Sequence, residues 1–556
     1  MKNKILLTGM LIVFAFSGSL VAQTLPVGSL DNIEDAYRRQ QLLGEDASNA
    51  SFTIRPLFLT DKNEVYLSPD GAGLKTMDLN KLLWSKGKSA LYALPIEWQH
   101  QINTHHPYGM NDGAMIPAKG YQTMFSAGLF AKIGFLSIQL KPEYVYAQNS
   151  KFSEITEAGN EIAQNYYRFY NGIDMPDRFG DRAYSKLKWG QSSIRLNFGP
   201  VSAGLSNENL WWGPGIRSSL LMSNNAPGFK HITINTTEPV STPVGAFEAQ
   251  IIGGKLEASG VPLPEGPNYK AKPDDWRYLS GIALSYQPKW VPGLYLGLNR
   301  SFMMYHDQLN GKIGNYLPLF SAIEKSNIEA DESGEEKITR DQLIAISARW
   351  VMPESKAEIY FQYGREDHAY NLRDFVSESE HTRAYIFGFR KLVELIREDE
   401  YIQFGVELTQ LESSGTKSVR PAGYWYHHSG VRDGYTNIGQ VLGAGIGPGS
   451  NLQSLDVSWV KGLKKIGLQM ERLSHNNDLM YNLKALDIRR HWTDLGLTGK
   501  FSWDYKNFIF NSALAYIHSF NYQYILNNGQ TPDFWKFEHT DVNNVHFKLG
   551  VMYRFN

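Results

Sequence analysis

Val545-His546-Phe547-Lys548-Leu549-Gly550-Val551-Met552-Tyr553-Arg554-Phe555-Asn556 ends the chain, and its alternation decides how the rest is read. The odd positions are Val, Phe, Leu, Val, Tyr and Phe; the even positions carry His546, Lys548 and Arg554. Successive side chains of a strand point to opposite faces, so one face here is continuously apolar and the other mostly polar. An aromatic pair at the end of such a segment fits a membrane barrel, with lipid outside and His546, Lys548 and Arg554 facing in.

The same alternation recurs upstream. Leu136, Ile138 and Leu140 alternate with Ser137 and Gln139, and Leu294, Leu296 and Leu298 with Tyr295, Gly297 and Asn299. Ala357, Ile359, Phe361 and Tyr363 alternate with Glu358, Tyr360 and Gln362; Ile402 to Leu408 and Leu455 to Trp459 repeat the pattern. Glu358, Glu407 and Asp456 are tolerable in such strands only on the inside. The template gives roughly 14 to 18 strands. Short links such as 290–293 and 461–464 suit periplasmic turns, whereas 151–182, 312–340 and 413–451 suit extracellular loops. Short helices are expected near 154–170 and 477–484.

The 556 residues include 50 Gly, 31 Tyr, 28 Phe and 13 Trp, and mean hydropathy is −0.35. That mixture suits strands apolar on one face only. Fifty-five basic against 56 acidic residues argue against a nucleic-acid partner, which needs a basic surface. The absence of Cys excludes disulfides, thiolate metal ligands and a thiol nucleophile.

Residues 1–22 read as a signal peptide, with Lys2 and Lys4 before an apolar stretch from Ile5 to Phe16 and small Ala22 before the cut. No later stretch is long and apolar enough for a membrane-spanning helix. Residues 23–87 read as a small helical region, a periplasmic subdomain or plug. Asp31 with Glu34 marks one helix start, 78–86 a second helix, and Ser51 to Leu57 a strand. Residues 88–556 form the barrel.

Two stretches hold more Gly, aromatic and amide residues than strands need. Asn207 to Phe229 contains Trp211, Trp212, Gly213, Pro214, Gly215, Arg217, Asn224 and Asn225. Gly423 to Leu455 contains Tyr424, Trp425, Tyr426, Arg432 and Tyr435. Aromatic faces stack on the C–H face of sugars, while Arg and Asn bond their hydroxyls, so the ten aromatic, Arg and Asn residues among them are candidate polysaccharide contacts. Structural packing of loops accounts for the same composition. The pairs His105-His106 and His427-His428 cannot chelate readily from a strand, so no metal is assigned. Acidic residues 329–336 lack the spacing of an EF-hand and read as a solvated loop. No Gly-x-Ser-x-Gly elbow, Walker loop or HExxH helix is present, and no cofactor is expected.

Asn209-Leu210-Trp211-Trp212-Gly213-Pro214-Gly215, continuing to Asn224-Asn225-Ala226-Pro227, resembles the capsule assembly protein Wzi family. Gly434-Tyr435-Thr436-Asn437 with the run 443–450, and Pro26-Val27-Gly28-Ser29 leading to SFTIRPL, resemble it too. The resemblance implies an integral outer-membrane barrel of about eighteen strands in a diderm bacterium, with the N-terminal region periplasmic. It also implies a non-catalytic lectin that attaches capsular or exopolysaccharide at the cell surface. Expected partners are that polysaccharide, outer-membrane lipid and lipopolysaccharide, and other outer-membrane proteins. A sugar-diffusion channel, a scaffold subunit and a glycan- or lipid-active enzyme are the competing readings.

Overall fold

The computed structural model describes residues 23–555 apart from 29–30, 46–48, 60–65, 68–74, 77–79, 156–160, 264–267, 310–315, 318–339, 367–370, 398, 421, 483–486, 527–532 and 537–539. The expected signal peptide and the acidic run therefore lie outside the described residues, as does most of 312–340.

Eighteen antiparallel spans close into one barrel. They are β1 (Ser89–Asn103), β2 (Gly120–Ile133), β3 (Leu136–Leu140 with Glu143–Ala147), β4 (Tyr184–Lys188 with Ser193–Phe198), β5 (Val201–Ser206) and β6 (His231–Thr236 with Val240–Thr242). Next come β7 (Gly245–Leu256), β8 (Arg277–Pro288), β9 (Leu294–Tyr305), β10 (Asp341–Met352), β11 (Ala357–Glu366) and β12 (Arg383–Glu394). The last are β13 (Tyr401–Gln410), β14 (Asn451–Lys461), β15 (Lys464–Ser474), β16 (Thr493–Tyr505), β17 (Phe508–Phe520) and β18 (Val542–Tyr553). The terminal stretch is the closing strand: β18 pairs with β1, setting Phe547 opposite Ile102, Leu549 opposite His100 and Val551 opposite Trp98.

Alternation sorts the faces as expected. Leu296, Leu298, Ile359, Phe361, Phe404, Leu455 and Val457 are exposed on the outside. Glu358, Tyr360, Gln362, Gln403 and Glu407 are buried within. His546 is buried and Lys548 pairs with Asp112. Arg554 lies past the strand, where its guanidinium donates to the Lys506 carbonyl. The even strand number and lipid-facing apolar band are those of an outer-membrane barrel.

Connections of two to six residues gather at one end, and those of 16 to 40 residues at the other. Aromatics ring the outside of the short-turn end: Phe135 stacks on Phe198 and Phe501 on Trp503, while Phe508 meets Tyr553. Such girdles sit at the membrane–water boundary.

Helix α1 (Asp31–Leu43) fills the short-turn mouth. Ile33, Ala36 and Tyr37 share its buried face and pack against Leu463, Ile509 and Met552 of the barrel. Its polar side is fixed by charge. Glu358 accepts from Arg38 and Arg390 at 2.9 Å each and from Arg349 at 2.7 Å, and Arg390 also reaches Asp35. The helix expected at 78–86 is instead a strand over Lys81–Lys86, paired with the start of β1. Leu82, Leu83 and Trp84 are all about half exposed there, so no helical face is buried. The edge of β1 beyond the reach of β18 offers backbone partners, and pairing overrides the helical spacing. In SFTIRPL, Ile54–Arg55 and Leu57–Leu59 form two short strands rather than one. The other expected helices are present at Glu161–Phe169 and Asn477–Asn482.

Candidate functional site

The Trp211-Trp212-Gly213-Pro214-Gly215 segment runs inside the barrel. Trp212 is fully buried and donates its indole N–H to Gln250 at 2.7 Å. Its carbonyl accepts from Gln362 at 3.1 Å and Asn299 at 3.2 Å. Trp211 is covered by the Arg55 guanidinium, 4.3 Å from the ring centre. The next turn brings the backbone N–H groups of Ile216, Arg217 and Ser218 onto the Glu407 carboxylate at 2.7–3.1 Å. Gly215 permits it, since a Cβ there would lie 1.9 Å from the Ser218 carbonyl oxygen. Arg217 itself is paired with Glu471 at 2.6 Å.

The second motif packs on the first. Tyr426 donates to the Leu220 carbonyl at 2.7 Å and stacks on Tyr435, whose hydroxyl bonds Ser301. Asn225 donates to the Val441 carbonyl at 3.0 Å and Asn224 to that of Asn111 at 2.9 Å. Trp425 donates to the Thr382 carbonyl at 3.0 Å. Arg432 spends its donors on Asn171, Lys270 and Ala271, bolting three long loops together. Trp211, Trp212, Trp425, Tyr426 and Tyr435 are at most 3% exposed. The structure thus unites the two motifs as one plug, and of the six aromatic candidates only Tyr424, beside Phe169 and His427, leaves its ring partly open.

Loops between β1 and β2, β3 and β4, β13 and β14, β15 and β16, and β17 and β18 converge elsewhere at the long-loop end, on a cleft of about 190 Å³. Its walls include Tyr166, Trp492 and Tyr522, with His106, His475 and Asp177 among them. Trp492 is half-buried. His475 stacks on it at 3.9 Å, and the Tyr522 ring meets it edge-on at 5.0 Å. Beyond Trp492, Asn521, Gln523 and Tyr524 hold φ of 48°, 59° and 59°, a left-handed run that non-glycine residues rarely adopt.

Among the described residues, two side-chain polar atoms of this lining lack a hydrogen-bond partner. Asp177 accepts from Tyr170 at 2.6 Å through Oδ1 and interacts with the Ile155 backbone N–H, whereas its Oδ2 has no close partner among the described residues. Burial pushes its pKa up to about 6. His106 lies 3.1 Å from His105 through Nδ1 and leaves Nε2 unpaired; burial brings its pKa down to about 4. These two imidazoles do approach each other, because a turn rather than a strand carries them. Among the described residues no group of three or more His, Asp or Glu is placed to hold a metal ion.

The model of the capsule assembly protein Wzi family matches residues 111–508, well over half of the 556. The chain belongs to the Wzi capsule assembly family. A solved Wzi structure from Escherichia coli is similar over 97% of this chain and 100% of that one, with a TM-score of 0.58 at 14% identity. That protein is described as a carbohydrate-binding outer-membrane barrel involved in group 1 capsule assembly. OccAB2 and OccAB3 of Acinetobacter baumannii reach a TM-score of only 0.39, with 10% and 9% identity, over 83% and 84% of this chain and 98% and 99% of theirs. A search of the curated proteins found no match. This Wzi-family chain is therefore an integral outer-membrane barrel, and sequence reasoning picked out its plug rather than its cleft. Of the second motif only Ile446, Gly447, Pro448 and Ser450, past its aromatic run, line the cleft. The available signal was aromatics next to strand ends, as in His491-Trp492 and Tyr522-Gln523-Tyr524.

Proposed function

We propose that this Wzi-family barrel holds an exported polysaccharide at the cell surface without chemically altering it. The carrying observation is the aromatic cleft where five long loops meet at one end of the barrel. Stacking surfaces beside unpaired polar atoms suit sugar rings, which present C–H faces and hydroxyl rims. The long-loop end faces outward in this reading, and the short-turn end with α1 faces the periplasm. Lipopolysaccharide and lipid surround the apolar band as solvent rather than as cargo. The long loops add further polymer contacts, with Tyr424 the most open of the aromatic candidates.

The test is binding of purified barrel to the producing cell's own capsular or exopolysaccharide, with Trp492→Ala as the altered form. Wild type is expected to retain the polymer, and the variant to lose affinity by about tenfold, the equivalent of ~1.4 kcal/mol. A deletion strain that keeps its normal load of attached polysaccharide would refute the function.

A further inference from the structure

The chemistry of the cleft restricts what it takes. Its volume of about 190 Å³ is below the roughly 300–1,000 Å³ of pockets that enclose drug-sized ligands, and suits one sugar ring rather than a chain segment. Its walls are aromatic on several sides, from Tyr166, Trp492 and Tyr522. Among the described residues that line it, none is Lys or Arg. Lys119, which acts electrostatically on His106, is outside the lining. His475 is already committed to Asp494 at 2.8 Å. The unpaired atoms are an Asp177 oxygen, an acceptor when ionised, and the second nitrogen of His106.

An acidic sugar would bring a carboxylate or phosphate into this space. Among the described lining residues it would find no Lys or Arg to pair with, and it would face the Asp177 carboxylate. Burying an unpaired charge is unfavourable, and a like charge nearby adds to that. A neutral ring instead donates a hydroxyl to Asp177 and exchanges a second hydrogen bond with His106, while its C–H face lies on the aromatic wall. Leaving those two buried atoms unsatisfied is itself unfavourable, so a ligand that completes them gains twice.

We propose that the cleft is a single-ring subsite selective for an uncharged pyranose unit of the polymer, and that it excludes uronic and phosphorylated sugars. This rests on the polysaccharide reading above and specifies which unit of the polymer is gripped.

Saturation-transfer NMR on the folded mature barrel in detergent tests it, using methyl glycosides of glucose, galactose and mannose against those of glucuronic and galacturonic acid. At pH 7.5 at least one neutral glycoside is expected to bind about tenfold or more tighter than either uronate. Asp177→Asn, which removes the charge, should narrow that gap to about threefold or less. Trp492→Ala should abolish the neutral signal. Should that variant not fold, Ile446→Trp, which fills the cleft from another loop, should do the same. Uronates binding as well as neutral sugars to wild type would overturn the proposal, and so would a neutral signal that survives the folded cleft variants. No binding of any monosaccharide while the whole polymer is retained would overturn the subsite alone. Loss of polymer retention as well would remove the function on which it rests.

Discussion

Trp212 shows how little freedom single residues have inside this barrel. Its ring lies where a Cβ on Gly281 of β8 would stand 2.6 Å from an indole carbon. Its carbonyl collects amides from two barrel strands, and its N–H is bonded to a third. Gly281→Val is therefore expected to lever the indole out of its seat and destabilise the folded barrel by about 1–3 kcal/mol, the usual cost of overpacking. The midpoint of urea unfolding, followed by heat-modifiable gel migration, measures this; an unshifted midpoint would mean that the plug relaxes freely. The sequence displayed Trp212 plainly but not its surroundings. A Trp beside Gly, Pro and Asn has the same composition in a sugar site and in a plug, and the two differ only in whether the ring face meets solvent.

At the scale of elements, α1 is held by a charge cluster that no local pattern announces. Glu358 of β11 gathers Arg38 from the helix with Arg349 and Arg390 from the neighbouring strands. The period-two pattern required Glu358 to face inward, and it does. Its partner on α1 lies 320 residues away, so the pairing arises only when the barrel closes around the helix. Glu358→Gln leaves three guanidiniums without their shared carboxylate, and loss of one partner of a buried pair costs about 3–5 kcal/mol. The expected result is an intact barrel with a detached N-terminal segment, seen as rapid trypsin cleavage within 31–43. Protection equal to wild type would show that the apolar contacts of Ile33 and Tyr37 suffice. The strand at Lys81–Lys86 teaches the same lesson in reverse, since an available β1 edge decided a segment whose own spacing favoured helix.

For the molecule as a whole, the lumen is occupied from both ends: α1 at the short-turn mouth, and the Trp211–Asn225 segment packed under the 424–450 loop further in. The folded protein in planar bilayers is accordingly expected to give no steady porin-like conductance steps. Long-lived steps in wild type would favour a diffusion channel instead. The cleft also exists only at this scale. Residues as far apart as His106 and Tyr524 line it. A site assembled from five loops has no spacing to detect, and its walls Tyr166, Trp492 and Tyr522 come from three different loops.

The sequence by itself determined the barrel, the closing strand, the sorting of Glu358 and Glu407 to the inside and the alternation of short turns with long loops. Those follow from the two-residue period of a strand and from the cost of charge in lipid, both local properties of the chain. It also carried the motifs of the Wzi family. Only the tertiary structure decided that LWWGPG fills the lumen, that α1 is clamped by three arginines and one glutamate, and that the open aromatic cleft lies elsewhere. Burial is a relation between distant segments, and whether an aromatic face is covered by Arg55 or left for a sugar depends on what the closed barrel brings against it.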